Sequence, residues 1–173
     1  MADKTIAILT GGGDVPGLNS VIKSVVYGAT SKPGYRVVGI RRGWAGLTYP
    51  NLDDGFDTEY FVDLTRANTR TIDRTGGTFL PTSRTKPSRL KVDRLPEHVK
   101  KRLGGCKEVD PGVVNMTPIV LENLQRLGVD YLLTIGGDDA LSYSSVLNGE
   151  QFPVVTVPKT MDNDVQNTEY CIG

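Results

Sequence analysis

The sequence predicts an α/β fold, a mainly parallel sheet with helices on both faces, and three observations carry that prediction. Short apolar strands alternate with amphipathic helical stretches, the pattern of βαβ units. Three of those strands, Lys4 to Thr10, Tyr131 to Ile135 and Phe152 to Val157, run directly into loops rich in glycine or aspartate. The chain has 173 residues, a length that one core can serve, since a single core serves roughly 100–200 residues before chains tend to split.

The first strand meets Gly11-Gly12-Gly13-Asp14-Val15-Pro16-Gly17, a stretch that can only be loop. Leu18, Val21, Ile22, Val25, Val26 and Ala29 then recur at helical spacing, so a helix follows and ends before Lys32-Pro33-Gly34. Tyr35 to Ile40 returns to strand and completes a βαβ unit. From Arg41 to Asp63 no period is sustained, and the segment is read as mostly loop. Thr65 to Asp73 is read as a short helix before the turn at Gly76-Gly77. Residues 85–115, rich in Lys, Arg, Pro and Gly, read as a partly helical surface insertion with a solvated face. Thr117 is placed as an N-cap with Pro118 as the first helical residue, and Gly128 as the stop. After the second strand, Gly136-Gly137-Asp138-Asp139 leads into a helix from about Ala140 to Leu147.

Composition narrows the function. Lys and Arg total 20 and Asp and Glu total 20, so the chain lacks the basic excess of a dedicated nucleic-acid binder. Apolar runs such as Ile6 to Leu9 fall far short of the roughly 18 residues of a membrane span. The start of the chain resembles no secretory leader, and a cytoplasmic protein is expected. Cys106 and Cys171 are expected to be reduced thiols without a role.

In open α/β sheets ligands bind beyond the carboxyl ends of the strands. Residues 11–17, 136–139 and 158–164 are therefore expected to form one site. Glycines at 11, 12 and 13 let backbone N–H groups approach an anion at a helix N-terminus, although a tight turn alone would also use them. The spacing is not that of a Walker A loop. Asp138 is placed where Mg²⁺ could bridge a carboxylate and phosphate oxygens; as an alternative it caps the helix. Lys159, Thr160, Asp162 and Asp164 supply a cation, a hydroxyl and two carboxylates, the groups that phosphoryl transfer to an alcohol needs, where a plain Asx turn is the alternative. Arg84 offers a guanidinium fork suited to phosphate; alone it reads as a solvated surface residue.

Thr10-Gly11-Gly12-Gly13-Asp14-Val15-Pro16-Gly17-Leu18-Asn19, Gly76-Gly77-Thr78-Phe79-Leu80, Ile135-Gly136-Gly137-Asp138 and Pro158-Lys159-Thr160-Met161-Asp162-Asn163-Asp164, in that order, resemble the 6-phosphofructokinase family. The resemblance runs from Lys4 to Gly173 apart from the insertion and implies a Rossmann-like domain. It also implies Mg²⁺-dependent phosphoryl transfer from ATP or pyrophosphate to the 1-hydroxyl of fructose 6-phosphate in glycolysis, by a homo-oligomer when full length. Carried over by position, Asp162 resembles the base, with Thr160 and Asp164 completing the substrate and metal side. Gly12, Gly13, Arg84 and Gly137 would contact donor phosphates, and Asp138 would hold Mg²⁺.

ATP-using members resemble Gly-Gly-Asp-Gly where this chain has Asp139, whose side chain would obstruct a nucleotide. Together with Lys159 it points to pyrophosphate. Trp44 points the other way, matching an aromatic position that stacks on adenine in some ATP enzymes, though ordinary packing explains it equally. Two rivals are kept: a kinase of the NAD or lipid type, which would lack the 158–164 loop, and a phosphate-binding module without catalysis. The resemblance predicts roughly as much sequence again beyond Gly173, carrying most of the acceptor site, so the 173-residue segment is expected to bind donor phosphate and turn over poorly.

Overall fold

The computed structural model describes residues 4–53 and 55–173. Strand β1 (Lys4–Thr10) leads through the glycine loop to helix α1 (Leu18–Ala29) and back to β2 (Tyr35–Ile40). A one-turn helix α2 (Ala45–Thr48) and a short strand β3 (Phe61–Asp63) follow. Both lie inside the segment expected to be mostly loop: three or four residues are too few to display a period, and their apolar members are recruited by the core. The expected helix over residues 65–73 is instead a series of turns ending in a 3-10 turn at Ile72–Arg74. Asn68 holds this region by donating to the Asp63 carbonyl at 2.7 Å.

Residues 85–115 differ more. Strands β4 (Leu90–Lys91), β5 (Lys107–Asp110) and β6 (Val113–Asn115) form an antiparallel sheet in the order β4-β6-β5, with the short helix α3 (Glu97–Lys100) between β4 and β5. Leu95, Val99 and Val114 pack with Met116 and Ile119 into a satellite core, so one face of the insertion is buried. Helix α4 (Thr117–Arg126) begins one residue earlier than expected, with Met116 in the cap position and Pro118 second. The Thr117 hydroxyl is occupied elsewhere, donating to Asn115 Oδ1 at 2.6 Å. Strand β7 (Tyr131–Gly136), helix α5 (Asp138–Gly149) and strand β8 (Val154–Pro158) complete the chain's regular elements.

The main sheet has the order β3-β2-β1-β7-β8, parallel except for the antiparallel edge strand β3. Alternate residues of each strand enter opposite faces. Ala7, Leu9, Val38, Ile40 and Leu132 pack with Val120 and Leu124 of α4 and Tyr143 and Leu147 of α5. Ile8, Val37 and Ile135 pack with Leu18, Ile22 and Val26 of α1. Helices thus cover both faces, as the alternating pattern predicts. The crossover from β1 goes to one side and that from β7 to the other, so the order reverses between β1 and β7, where such folds open a crevice.

Candidate functional site

Register brings the three loops together. Thr10 of β1 pairs with Ile135 of β7, and Ile135 with Val157 of β8, so the loops leave the sheet at one level. Close packing of α5 and the glycine loop on the end of β7 depends on missing side chains: a Cβ on Gly136 would stand 2.5 Å from Ala140 Cβ and 3.2 Å from the Gly11 carbonyl oxygen. Gly12 adopts φ 81°, a conformation that favours glycine, and turns the loop beneath the Lys159 ammonium.

Two adjoining cavities lie at this crevice. The first, of about 370 Å³, is lined by Gly11, Gly12, Ser83, Arg84, Asp139 and Trp44 among others. The second, of about 280 Å³, is lined by Gly13, Asp14, Thr160, Asp162 and Asp164. Gly137, Asp138 and Lys159 line both and form the wall between them. Every residue singled out from the sequence therefore borders one cavity or the other, and the site divides. Arg84, Gly12 and Asp139 face the first, Gly13 and the carboxylates of the 158–164 loop the second.

Lys159 is buried, and its ammonium donates to the Gly13 carbonyl oxygen at 2.7 Å, linking the third loop to the first. An ammonium has three donors, so this bond leaves capacity for an anion. Burial pushes its pKa below the ordinary lysine value; the Asp14 carboxylate opposes that shift and the Arg84 guanidinium adds to it. Thr160 donates to Asp164 Oδ1 at 2.7 Å and accepts from the Asp162 backbone N–H at 3.1 Å, which shapes the loop. Its far end is pinned where Ile172 N–H donates to the Pro158 carbonyl at 3.0 Å and Thr160 N–H to that of Ile172 at 2.9 Å.

Asp138 is the first residue of α5 and Gly137 occupies the cap position, so the helix-cap alternative for Asp138 does not hold. Its carboxylate is left to the cavities. Among the described residues no group of three or more His, Cys, Asp or Glu side chains could hold a metal by itself. Mg²⁺ bridged to phosphates needs only one or two carboxylates, and Asp138 with Asp164 across the second cavity fits that donor chemistry. Trp44 is buried and stacks edge-on against Tyr143, with centroids 4.7 Å apart, so its ring is engaged in packing while it borders the first cavity.

Sequence reasoning gave no role to three residues that build the site. Asn19, buried at the start of α1, accepts from Phe79 N–H at 2.7 Å and donates to the Gly77 carbonyl at 3.3 Å, tying the glycine loop to the 76–80 turn. Thr82 donates to the Gly12 carbonyl at 2.5 Å, and Gly12 N–H to that of Ser83 at 3.3 Å, which carries Arg84 to the first cavity. Lys86 pairs with Asp139 at 2.8 Å. A polar residue on an apolar helix face was the available signal for Asn19; nothing in local sequence marks Lys86.

Fold and site define a Rossmann-like α/β domain with an anion-suited crevice at its topological switch point. Residues 5–173 match the family described as Phosphofructokinase. A pyrophosphate–fructose 6-phosphate 1-phosphotransferase of Streptomyces coelicolor is 38% identical over 97% of this chain and 40% of its own length. One of Dictyoglomus thermophilum is 34% identical over 100% of the chain and 40% of its own. An ATP-dependent 6-phosphofructokinase 2 of Clostridium perfringens is 37% identical over 98% of the chain and 41% of its own. Among solved structures, Pichia pastoris phosphofructokinase in the T-state superposes with a TM-score of 0.72 at 23% identity, over 100% of this chain and 18% of that one. The chain belongs to the phosphofructokinase family. It spans about 40% of the length of these curated relatives.

Proposed function

We propose that the protein containing this chain is a 6-phosphofructokinase that transfers a phosphoryl group from pyrophosphate to the 1-hydroxyl of fructose 6-phosphate, a step of glycolysis. The observation that carries the choice of donor is that Asp139 and Lys159 both line the first cavity. At about 370 Å³ that cavity lies toward the small end of ligand sites, which run to roughly 1,000 Å³. A carboxylate in its lining obstructs a nucleotide more than it does a compact anion. ATP is the second reading, because relatives named for either donor are similarly identical and the Trp44 ring borders the same cavity.

In this reading the donor lies along Gly12, Arg84 and Gly137. Lys159, in the wall between the cavities, stabilises charge on the phosphoryl group as it passes toward the second cavity. Asp162 accepts the proton of the sugar hydroxyl there, and Thr160 holds Asp164 in place. Mg²⁺, held through Asp138 and phosphate oxygens, would neutralise donor charge. Most contacts to fructose 6-phosphate are assigned to the remainder of a longer, cytoplasmic, homo-oligomeric enzyme, so the segment alone binds donor and turns over poorly.

Turnover of the full-length protein with pyrophosphate and with ATP, before and after Asp139→Gly, tests the donor. Preference for pyrophosphate that shifts toward ATP in the variant is expected. Equal use of both by the parent would defeat the assignment.

A further inference from the structure

Asp139 raises a difficulty that rests on the donor reading just given: its bulk excludes a nucleotide, but its charge repels every phosphate donor, pyrophosphate included. The difficulty has an answer in Lys86, whose ammonium stands 2.8 Å from Asp139 Oδ1. Both side chains are exposed, so the pair adds little to stability, and its significance lies in where it stands.

Lys86 sits between two anchored points. On one side Ser83 accepts from Gly12 N–H at 3.3 Å; on the other, Pro87 is buried and its carbonyl accepts from Met116 N–H at 2.8 Å. Ser83, Arg84 and Thr85 between them line the first cavity, as Asp139 does. The backbone thus delivers the Lys86 ammonium to the edge of the donor cavity, onto its obstructing carboxylate.

We propose that Lys86 is a positioning and charge-compensating residue for donor choice: it cancels the charge of Asp139 while leaving that side chain's bulk, so the site rejects nucleotides without repelling a small phosphate anion. Lys86 acts through Asp139, and its effect on donor affinity therefore depends on the carboxylate being charged. A lysine that gripped the phosphate directly would act whether or not Asp139 were present.

The test is a double-mutant cycle on the full-length protein, titrated calorimetrically with magnesium pyrophosphate and separately with MgATP. Lys86→Met is expected to weaken pyrophosphate binding about tenfold when Asp139 is present and less than about twofold in an Asp139→Asn background. Lys86→Arg, which keeps the charge, stays within about threefold of the parent. Losses in the two backgrounds that agree within about threefold, including no loss in either, overturn the proposal. So does a Lys86→Arg loss as large as that of Lys86→Met, which would assign the effect to shape. If the parent takes ATP instead of pyrophosphate, the donor reading falls, and the same comparison made with ATP still decides the coupling of Lys86 to Asp139. Binding of neither overturns both.

Discussion

The Lys159 ammonium reaches from the end of β8 to the Gly13 carbonyl oxygen, 2.7 Å away, and thereby joins two loops that lie 146 residues apart in sequence. Because burial lowers its pKa, the folded chain gives up this proton at lower pH than the unfolded chain does. The charged lysine thus burdens the fold at neutral pH, and that burden eases as pH rises from the lowered value toward 10.5. In the proposed function donor binding runs the opposite way, since there it needs the cation. Pyrophosphate affinity of the full-length protein is expected to fall as pH climbs into that range, earlier than an ordinary lysine would dictate. Lys159→Met should remove the alkaline inflection and about 1.5–3 kcal/mol of binding at neutral pH. A calorimetric pH series measures both, and an unchanged inflection in the variant would refute the assignment.

Asn19 carries the join between the glycine loop and the 76–80 turn. Replacing it with Ala strands the Phe79 N–H, which now donates to Asn19 Oδ1 at 2.7 Å, and frees the Gly77 carbonyl. Asn19→Ala is expected to cost about 1–3 kcal/mol in urea unfolding, the penalty for a part-buried donor left unpaired. Asn19→Asp keeps the acceptor but sets a carboxylate oxygen against the Thr75 and Gly77 carbonyls, to which the amide now donates, and should lose at least as much. Equal stability of Asn19→Ala and the parent would show that the turn holds itself.

Gly136 tests the packing of α5 on the end of β7. The Cβ of Gly136→Ala would meet Ala140 Cβ at 2.5 Å, so an overpacking cost of about 1–3 kcal/mol is expected in thermal or urea unfolding. Ala140→Gly in the same chain should recover part of it. The contact with the Gly11 carbonyl, 3.2 Å away, would persist and limit the recovery. No recovery would place the strain in the backbone.

What the sequence disclosed follows from how each feature is encoded. Strands β1, β2 and β7 are continuous apolar runs ended by glycine or a turn, and α1 has one apolar stripe, so local pattern sufficed for them. That three loops meet was also legible, because parallel strands must present their carboxyl ends together. The antiparallel sheet of the insertion was illegible because strands of two to four residues carry too little alternation to register. Its buried face comes from Leu95, Val99 and Val114, spread over twenty residues. The two-cavity division was illegible for a similar reason: it depends on the direction Lys159 takes from β8, and sequence states only that a lysine is there.

Asp162 and Asp164 are two residues apart, and their surroundings separate their roles. The Thr160 hydroxyl donates to Asp164 Oδ1 at 2.7 Å, which occupies a lone pair and fixes that carboxylate. Among the described residues the Asp162 carboxylate accepts no hydrogen bond; only its backbone N–H is engaged. A general base must offer a lone pair to the incoming hydroxyl, and in the proposed reaction the unengaged Asp162 carboxylate takes that role. Asp162→Asn keeps shape and removes basicity. In the full-length protein it is expected to lower kcat by about 10²–10⁴-fold while leaving the donor KM nearly unchanged. Thr160→Val should instead release Asp164 and raise KM. An Asp162→Asn variant with parental kcat would transfer the base role to another group in the second cavity.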